Sequence, residues 1–201
     1  MCPKTRYLLT QSLLQAWLWQ YRAADTERAH QDFLRVLRRE PTGRSKAMQD
    51  GIDFEDLVTA KCAGTSSTDK HKWATGIEQV AQVVQGGAMQ VPLSCRRKVS
   101  GVPLLLYGRL DVLKAGEIYD IKFSHRYRSG KYLDSPQHPM YLALCPEAAG
   151  FTYLVSDGHD LYQERYTRQD TPPIEETIVD FLHYLDHSQL SEIYFKNWRA
   201  R

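Results

Sequence analysis

The sequence predicts a mixed α/β fold with a central sheet, and three observations along the chain support this prediction. Residues 10–85 carry apolar side chains at helical spacing. Between about 88 and 166 the spacing changes to the period of two that strands show. Pro172 and Pro173 then open a last helical region, at about 172–201. This order of helices, antiparallel strands, helix, strands and helix predicts one mixed α/β domain over residues 1–201.

The first helix of the helical region has a cap and a buried side. Thr10 or Ser12 can cap its N-terminus. Its apolar stripe consists of Leu13, Leu14, Trp17 and Tyr21. Further helices are predicted over 26–39, 45–61 and 70–85.

Five strands and one helix follow. The predicted strands cover 89–99, 102–113, 117–123, 150–155 and 160–166. We expect Pro92 to disturb the first of them, and a tight turn at 114–116 to join the second and third. A helix over 135–144 separates the third strand from the fourth, with Pro136 in its first turn.

Composition and charge limit the classes to which the protein can belong. The 201 residues are 42% hydrophobic and 25% charged, an ordinary globular composition. The net charge is only +2, so binding to nucleic acid would need a local basic surface. No apolar run approaches the roughly 18 residues of a membrane span, and the N-terminus lacks the features of a signal peptide. We therefore expect a cytoplasmic protein without a membrane partner.

The four cysteines are scattered along the chain and form no CxxC motif. They are Cys2, Cys62, Cys95 and Cys145. This spacing argues against a disulfide framework and against a zinc knuckle, and it fits a reducing compartment.

Three charged residues on two neighbouring strands give the strongest indication of chemistry. Alternate residues of a strand face the same way, so Asp120 and Lys122 share one face. The turn at 114–116 places Asp111 nearly opposite Asp120, with Cβ atoms roughly 5 Å apart. Two carboxylates at that distance favour a hard cation such as Mg²⁺ between them. The alternative is a surface hairpin whose Asp–Lys pair contributes under about 1 kcal/mol.

Two helical features add to this pattern. Glu55 lies at the edge of the apolar stripe of its helix, where a carboxylate needs a partner such as a metal. A solvated helix edge is the alternative.

Gln137 and Tyr141 are four residues apart and share a helix face that suits contacts to a phosphate or a base. Here the alternative is a half-buried tyrosine with a local glutamine partner.

The segment 124–134, which follows the third strand, alternates cations with aromatic rings. Its cations Arg126, Arg128 and Lys131 suit phosphates, and the rings between them suit the bases of a single strand. A solvated, mobile loop is the alternative.

The order of these features resembles the PD-(D/E)XK nuclease superfamily, and more narrowly its RecB-type and phage-type exonuclease branch. The matching features are Glu55 on a helix, Gly-x-x-Asp111, Asp120-Ile-Lys122 on the next strand, and Gln137-x-x-x-Tyr141 on a helix. The resemblance covers roughly residues 10–166. It implies a restriction-endonuclease-like αβββαβ core, with a central mixed sheet flanked by helices.

The resemblance also implies roles for the matched residues. One or two Mg²⁺ or Mn²⁺ ions would be held by Glu55, Asp111, Asp120 and the backbone carbonyl of Ile121. Lys122 would orient the attacking water and stabilise charge on the phosphate, completing the catalytic set. Gln137 and Tyr141 would help to position the nucleic-acid strand.

A subgroup of relatives carries an iron–sulfur cluster on one early and three late cysteines. No cysteine follows Cys145 in this sequence, so we expect no cluster.

The leading hypothesis is a metal-dependent DNA nuclease, an exonuclease of phage or mobile-element type. One alternative is a non-catalytic DNA-binding or assembly module on the same fold, and another is a structure-specific endonuclease. The presence of all three acidic residues and the lysine favours an enzyme. DNA is the expected partner, and any helicase or recombination partner would be a separate protein, because the chain carries no helicase motif. The residues leave open exo or endo action, strand polarity, single- or double-strand preference, DNA or RNA, and oligomeric state.

Overall fold

A mixed six-stranded sheet with helices on both faces forms the fold, which confirms the predicted fold class. The computed structural model describes residues 6–41, 43–65 and 68–200, so Cys2 lies outside the description. The strands within these ranges are β1 Tyr7–Thr10, β2 Ala88–Val99, β3 Val102–Lys114, β4 Glu117–Phe123, β5 Gly150–Ser156 and β6 Leu161–Thr167. The helices are α1 Gln11–Trp19, α2 Thr26–Arg38, α3 Lys46–Cys62, α4 Ala74–Val84, α5 Gln137–Leu144, α6 Ile174–His187 and α7 Ser191–Asn197.

Two elements near the N-terminal end of the described chain differ from the prediction. The short strand β1 precedes α1, which Thr10 caps by accepting a hydrogen bond from the Leu13 amide. Helix α1 ends at Trp19, so Tyr21 falls in the following turn and is 63% exposed instead of extending the apolar stripe. The C-terminal region contains two helices because Gln189 adopts a left-handed conformation (φ 58°) between α6 and α7.

The strand order leaves an opening in the middle of the sheet. Strand β2 pairs with β3 along 102–113, so β1 and β4 share the other edge of β3. Strand β1 pairs with residues 104–107 and β4 with residues 112–114. Residues 108–111 of β3 therefore lie between the C-terminal ends of β1 and β4, paired with neither.

The alternation of side chains between the two faces of the sheet is interrupted at the same position in strands β2 and β3. Leu110 packs into the core on one side of the sheet and Val112 into the core on the other, although regular alternation would put both on one side. Their partners Val91 and Met89 change sides in the same way. Pro92 stays in register opposite Arg109, so the expected disturbance at Pro92 is wrong. The irregularity lies two residues earlier, at Gln90.

Two apolar cores fill the spaces between the sheet and the helices. The larger core packs β1 and β3 against α1, α2, α5, α6 and α7, with Leu13, Phe33 and Phe181 fully buried. The smaller core packs Phe54 of α3 and Ile77 of α4 against Val112, Ile121 and Leu154 of the sheet. The sheet is thus covered on both faces.

None of the described helices is long and apolar enough to cross a membrane.

The buried imidazole of His138 should make the fold acid-sensitive. Burial lowers the pKa of His138 from 6.5 to about 4, against the opposing charges of Glu164 and Asp134. The folded protein therefore binds this proton less tightly than the unfolded chain. The contribution of the neutral imidazole to the free energy of unfolding is therefore fully present above about pH 6.5. The free energy of unfolding falls by up to about 3 kcal/mol as the pH drops toward 4. Unfolding measured at several pH values should show this loss, and His138→Gln should reduce it.

The exposed His183 provides the matched control. We expect His183→Gln to leave the acid-induced loss unchanged. If His138→Gln unfolds with the same pH dependence as the wild type, another group causes the sensitivity.

Candidate active site

The predicted acidic residues meet at the opening in the sheet. The register Val112↔Tyr119 makes Asp111 the next residue opposite Asp120. The ladder ends there because the Ile121 amide donates to the Asp111 side chain (N···Oδ2 2.9 Å). Asp120 is 1% exposed, and its Oδ1 accepts a hydrogen bond from the Gln137 amide. Its Oδ2 is buried and faces the ammonium group of Lys122.

Lys122 is the cation of this cluster. Its Nζ lies 2.6 Å from Asp120 Oδ2, an ion-pair distance. Burial by itself would lower the pKa of Lys122, but the carboxylates of Asp120 and Asp111 outweigh burial and raise it above the usual range. Lys122 therefore carries a fixed positive charge beside the carboxylates.

The two remaining acids of the cluster have raised pKa values. Burial raises the pKa of Asp111 well above its usual range, and the charge of Asp120 adds to this shift. Burial also raises the pKa of Glu55, while a hydrogen bond from Gln90 opposes the shift. Both carboxyl groups thus sit where negative charge is disfavoured and a cation would be stabilised.

Glu55 projects from α3 toward the same opening but remains apart from the aspartate pair. Its neighbours Phe54 and Val58 are fully buried, which fixes the face of the helix that meets the sheet. The Gln90 amide donates to Glu55 (Nε2···Oε1 2.7 Å). Across residues 6–41, 43–65 and 68–200, no three His, Cys, Asp or Glu side chains are close enough together to hold a metal ion as they stand.

The aspartate pair nevertheless fits a hard divalent cation. Such an ion satisfies a group of carboxylate oxygens whose negative charge is offset only in part, here by the one ammonium group of Lys122. Asp111, Asp120 and the Ile121 carbonyl would be the ligands, and Glu55 would be the additional carboxylate within reach of their charge.

Gln137 and Tyr141 both lie in the wall of the site. They are 6% and 5% exposed, respectively. Gln137 holds Asp120, and the Tyr141 hydroxyl donates to the Arg109 carbonyl (3.1 Å). The Tyr141 ring lies directly over Gly108, where an added Cβ would come within 2.5 Å of the ring. Gly108 is therefore required for helix α5 to approach the opening.

The basic loop at 124–134 is anchored rather than free. Glu164 of β6 accepts hydrogen bonds from the Tyr127 hydroxyl (2.6 Å) and the Tyr132 amide (3.1 Å). The Tyr132 ring also stacks on Tyr153, with centroids 4.4 Å apart. Three cations of the loop, Arg126, Arg128 and Lys131, are exposed on its surface. The loop thus presents positive charge from a fixed position next to β4.

A cleft that sequence reasoning did not identify lies between this loop and helix α1. Its volume is about 440 Å³, within the roughly 300–1,000 Å³ of ligand sites. One wall carries Gln11, Gln15 and Trp19, and the other carries Lys122, Lys131 and Tyr132. The spacing of the α1 residues, i, i+4 and i+8, could have indicated a polar helix face with an aromatic end. Gln90 left no comparable signal in the sequence.

Comparison with known proteins supports the fold. No family model matches the sequence, and no curated protein matches it. The crystal structure of SSO0001 matches with a TM-score of 0.53 and 16% identity, covering 93% of this chain and 79% of that chain. The structure of the exonuclease LHK-Exo in complex with dAMP matches with a TM-score of 0.53 and 15% identity, covering 94% of this chain and 92% of that chain. The chain therefore has a nuclease-like fold.

Crowding of negative charge at the opening should cost stability in the absence of metal. In Asp111→Asn the amide oxygen can still accept from the Ile121 amide, while one buried negative charge is removed. We expect the metal-free variant to be more stable than the wild type by about 1 kcal/mol. Chemical denaturation in EDTA measures this difference.

The control is Asp56→Asn, an exposed position of helix α3. This change should leave the unfolding free energy within about 0.5 kcal/mol of wild type. A destabilised Asp111→Asn variant would show that its carboxylate is satisfied by the protein alone.

Proposed function

We propose that the protein is a metal-dependent DNA nuclease that hydrolyses phosphodiester bonds, and that it acts as an exonuclease. The observation that carries this proposal is the Asp111–Asp120 pair at an opening of the sheet, with Asp120 buried and the Lys122 ammonium 2.6 Å from its carboxylate. The nuclease-like fold and the exonuclease among the structurally similar proteins support it. DNA is the proposed partner.

Each residue of the cluster has a proposed role. Asp111, Asp120 and the Ile121 carbonyl hold Mg²⁺ or Mn²⁺, with Glu55 as a further ligand. When bound, the metal lowers the pKa of water and screens the phosphate. The Lys122 ammonium holds the attacking water and stabilises the charge that develops on the phosphate oxygens. The Gln137 amide fixes the Asp120 carboxylate in place.

The cleft beside Lys122 supports a single strand as the substrate. Trp19 is 52% exposed on one wall, and the Lys131 ammonium lies on the other. Exposed rings stack on bases and cations bind phosphates, a combination that suits a single strand. Arg22 bridges the two walls through Asp134 (3.1 Å). We therefore propose that the cleft receives a single strand beside Lys122.

Cleavage assays on three DNA forms test the function. Linear duplex, single-stranded and circular DNA are incubated with Mg²⁺, with Mn²⁺ and with EDTA. We expect linear DNA to be degraded only when metal is present and closed circles to survive. Cleavage of circles would show an endonuclease. DNA binding without cleavage in either metal would show a non-catalytic module.

Lys122 and Asp120 should fail in different ways when replaced. Lys122→Ala should cleave at least about a hundredfold more slowly, since a preorganised charge is lost, yet bind Mn²⁺ as well as the wild type or better. Asp120→Asn should lose Mn²⁺ binding itself. Single-turnover rates at saturating metal and calorimetric Mn²⁺ titrations distinguish the two effects. Wild-type cleavage by Lys122→Ala contradicts the proposed mechanism.

The exposed cations of the loop should govern DNA affinity. Changing Arg126, Arg128 and Lys131 together to Ala should weaken DNA binding and flatten its salt dependence, because fewer counterions are released. Fluorescence anisotropy between about 50 and 200 mM salt measures both.

Three exposed cations elsewhere provide a control of equal charge. They are Arg28, Arg96 and Lys98. Their replacement by Ala should have a smaller effect on affinity and slope. Equal losses in both triple variants would mean that only overall charge matters, and an unchanged loop variant would exclude the loop from the interface.

A further inference from the structure

Gln90 has a backbone conformation that is unusual for a strand residue. Its φ is 53°, in the left-handed region that favours glycine. The other described non-glycine residues with positive φ lie in turns or at a helix end: Arg39, Ser100, Ala115 and Gln189. Gln90 alone among them lies inside a strand, β2. Such a conformation costs on the order of 1–3 kcal/mol and persists only where the surroundings enforce it.

The strained residue lies opposite the acidic cluster. Met89 pairs with Val112 and Val91 with Leu110, whereas Gln90 and Asp111 between them are unpaired. The reversal of faces in β2 and β3 occurs at this same step. One local distortion therefore sets both the position of Asp111 and the direction of the Gln90 side chain.

The Gln90 side chain contacts one residue of the cluster. Its Nε2 donates to Glu55 Oε1 at 2.7 Å, joining β2 to α3 across 35 positions of sequence. Within the described part of the chain, Glu55 Oε2 makes no hydrogen bond. The contact thus fixes the carboxylate through one oxygen and leaves the other available.

We propose that Gln90 is a positioning residue that orients the Glu55 carboxylate toward the Asp111–Asp120 pair, an inference that rests on the proposed function. Glycine would occupy this backbone position without strain. The presence of glutamine there indicates that its side chain has a role, which is the hydrogen bond to Glu55. Partners that orient a metal ligand commonly change metal affinity by 10–100-fold when removed. Gln90 therefore acts through Glu55 and does not touch the substrate.

Replacement by glycine separates this role from a purely structural one. Gln90→Gly relieves the strained backbone and removes the amide, so we expect a fold at least as stable as the wild type, with Mn²⁺ binding weakened about tenfold or more. Calorimetric Mn²⁺ titration and thermal unfolding in EDTA are the two readouts. Gln90→Asn tolerates the left-handed conformation but is too short to reach Glu55, and it should show the same loss of affinity.

Two further variants complete the test. Ser100→Gly relieves a similar φ of 47° in the turn after β2 and should not change Mn²⁺ affinity. Gln90→Gly added to Glu55→Gln should cause no further loss, because the carboxylate that Gln90 orients is gone. The proposal is overturned if both Gln90 variants bind Mn²⁺ with wild-type affinity, or if the losses in the double variant are additive. Neither result contradicts the proposed nuclease function. Absence of Mn²⁺ binding in the wild type overturns both.

Discussion

Two aspartates from neighbouring strands meet at the opening of the sheet, where Asp120 is buried and Asp111 is half-buried. Asp120 is 1% exposed, and burial raises the pKa of Asp111 well above its usual range. A single lysine, Lys122, supplies the opposing charge at 2.6 Å. Placing like charges together in a low-dielectric site is costly unless a cation joins them. Much of the surrounding architecture can be understood as holding these carboxylates in place despite that cost.

The sheet and helices each contribute to this arrangement. The crossover from β4 to β5 carries α5 across the sheet, which brings Gln137 onto Asp120 and Tyr141 over Gly108. Strands β1 and β4 leave the edge of β3 open beside Asp111. Helix α3 brings Glu55 from the opposite face. The cluster thus combines side chains from both layers of helices at the place where the sheet is interrupted.

Sequence patterns were sufficient for the features that depend on local periodicity. The turn at 114–116 fixed the β3–β4 register, and with it the pairing of Asp111 and Asp120. The motif order pointed to Glu55 and Gln137. The reversal of faces at Gln90 could not be foreseen, because glutamine has no preference for left-handed strand positions. The anchoring of the basic loop by Glu164 depends on contacts more than 30 residues apart, and those appear only in the fold.

Anomalous diffraction from crystals grown with Mn²⁺ tests the central claim most directly, since it locates the ion without relying on activity. The account predicts a peak at coordination distance from the carboxylates of Asp111 and Asp120 and from the Ile121 carbonyl, and no such peak in crystals of Asp120→Asn. A wild-type structure whose acidic cluster remains without manganese at saturating concentration, with Lys122 still paired to Asp120, would contradict it.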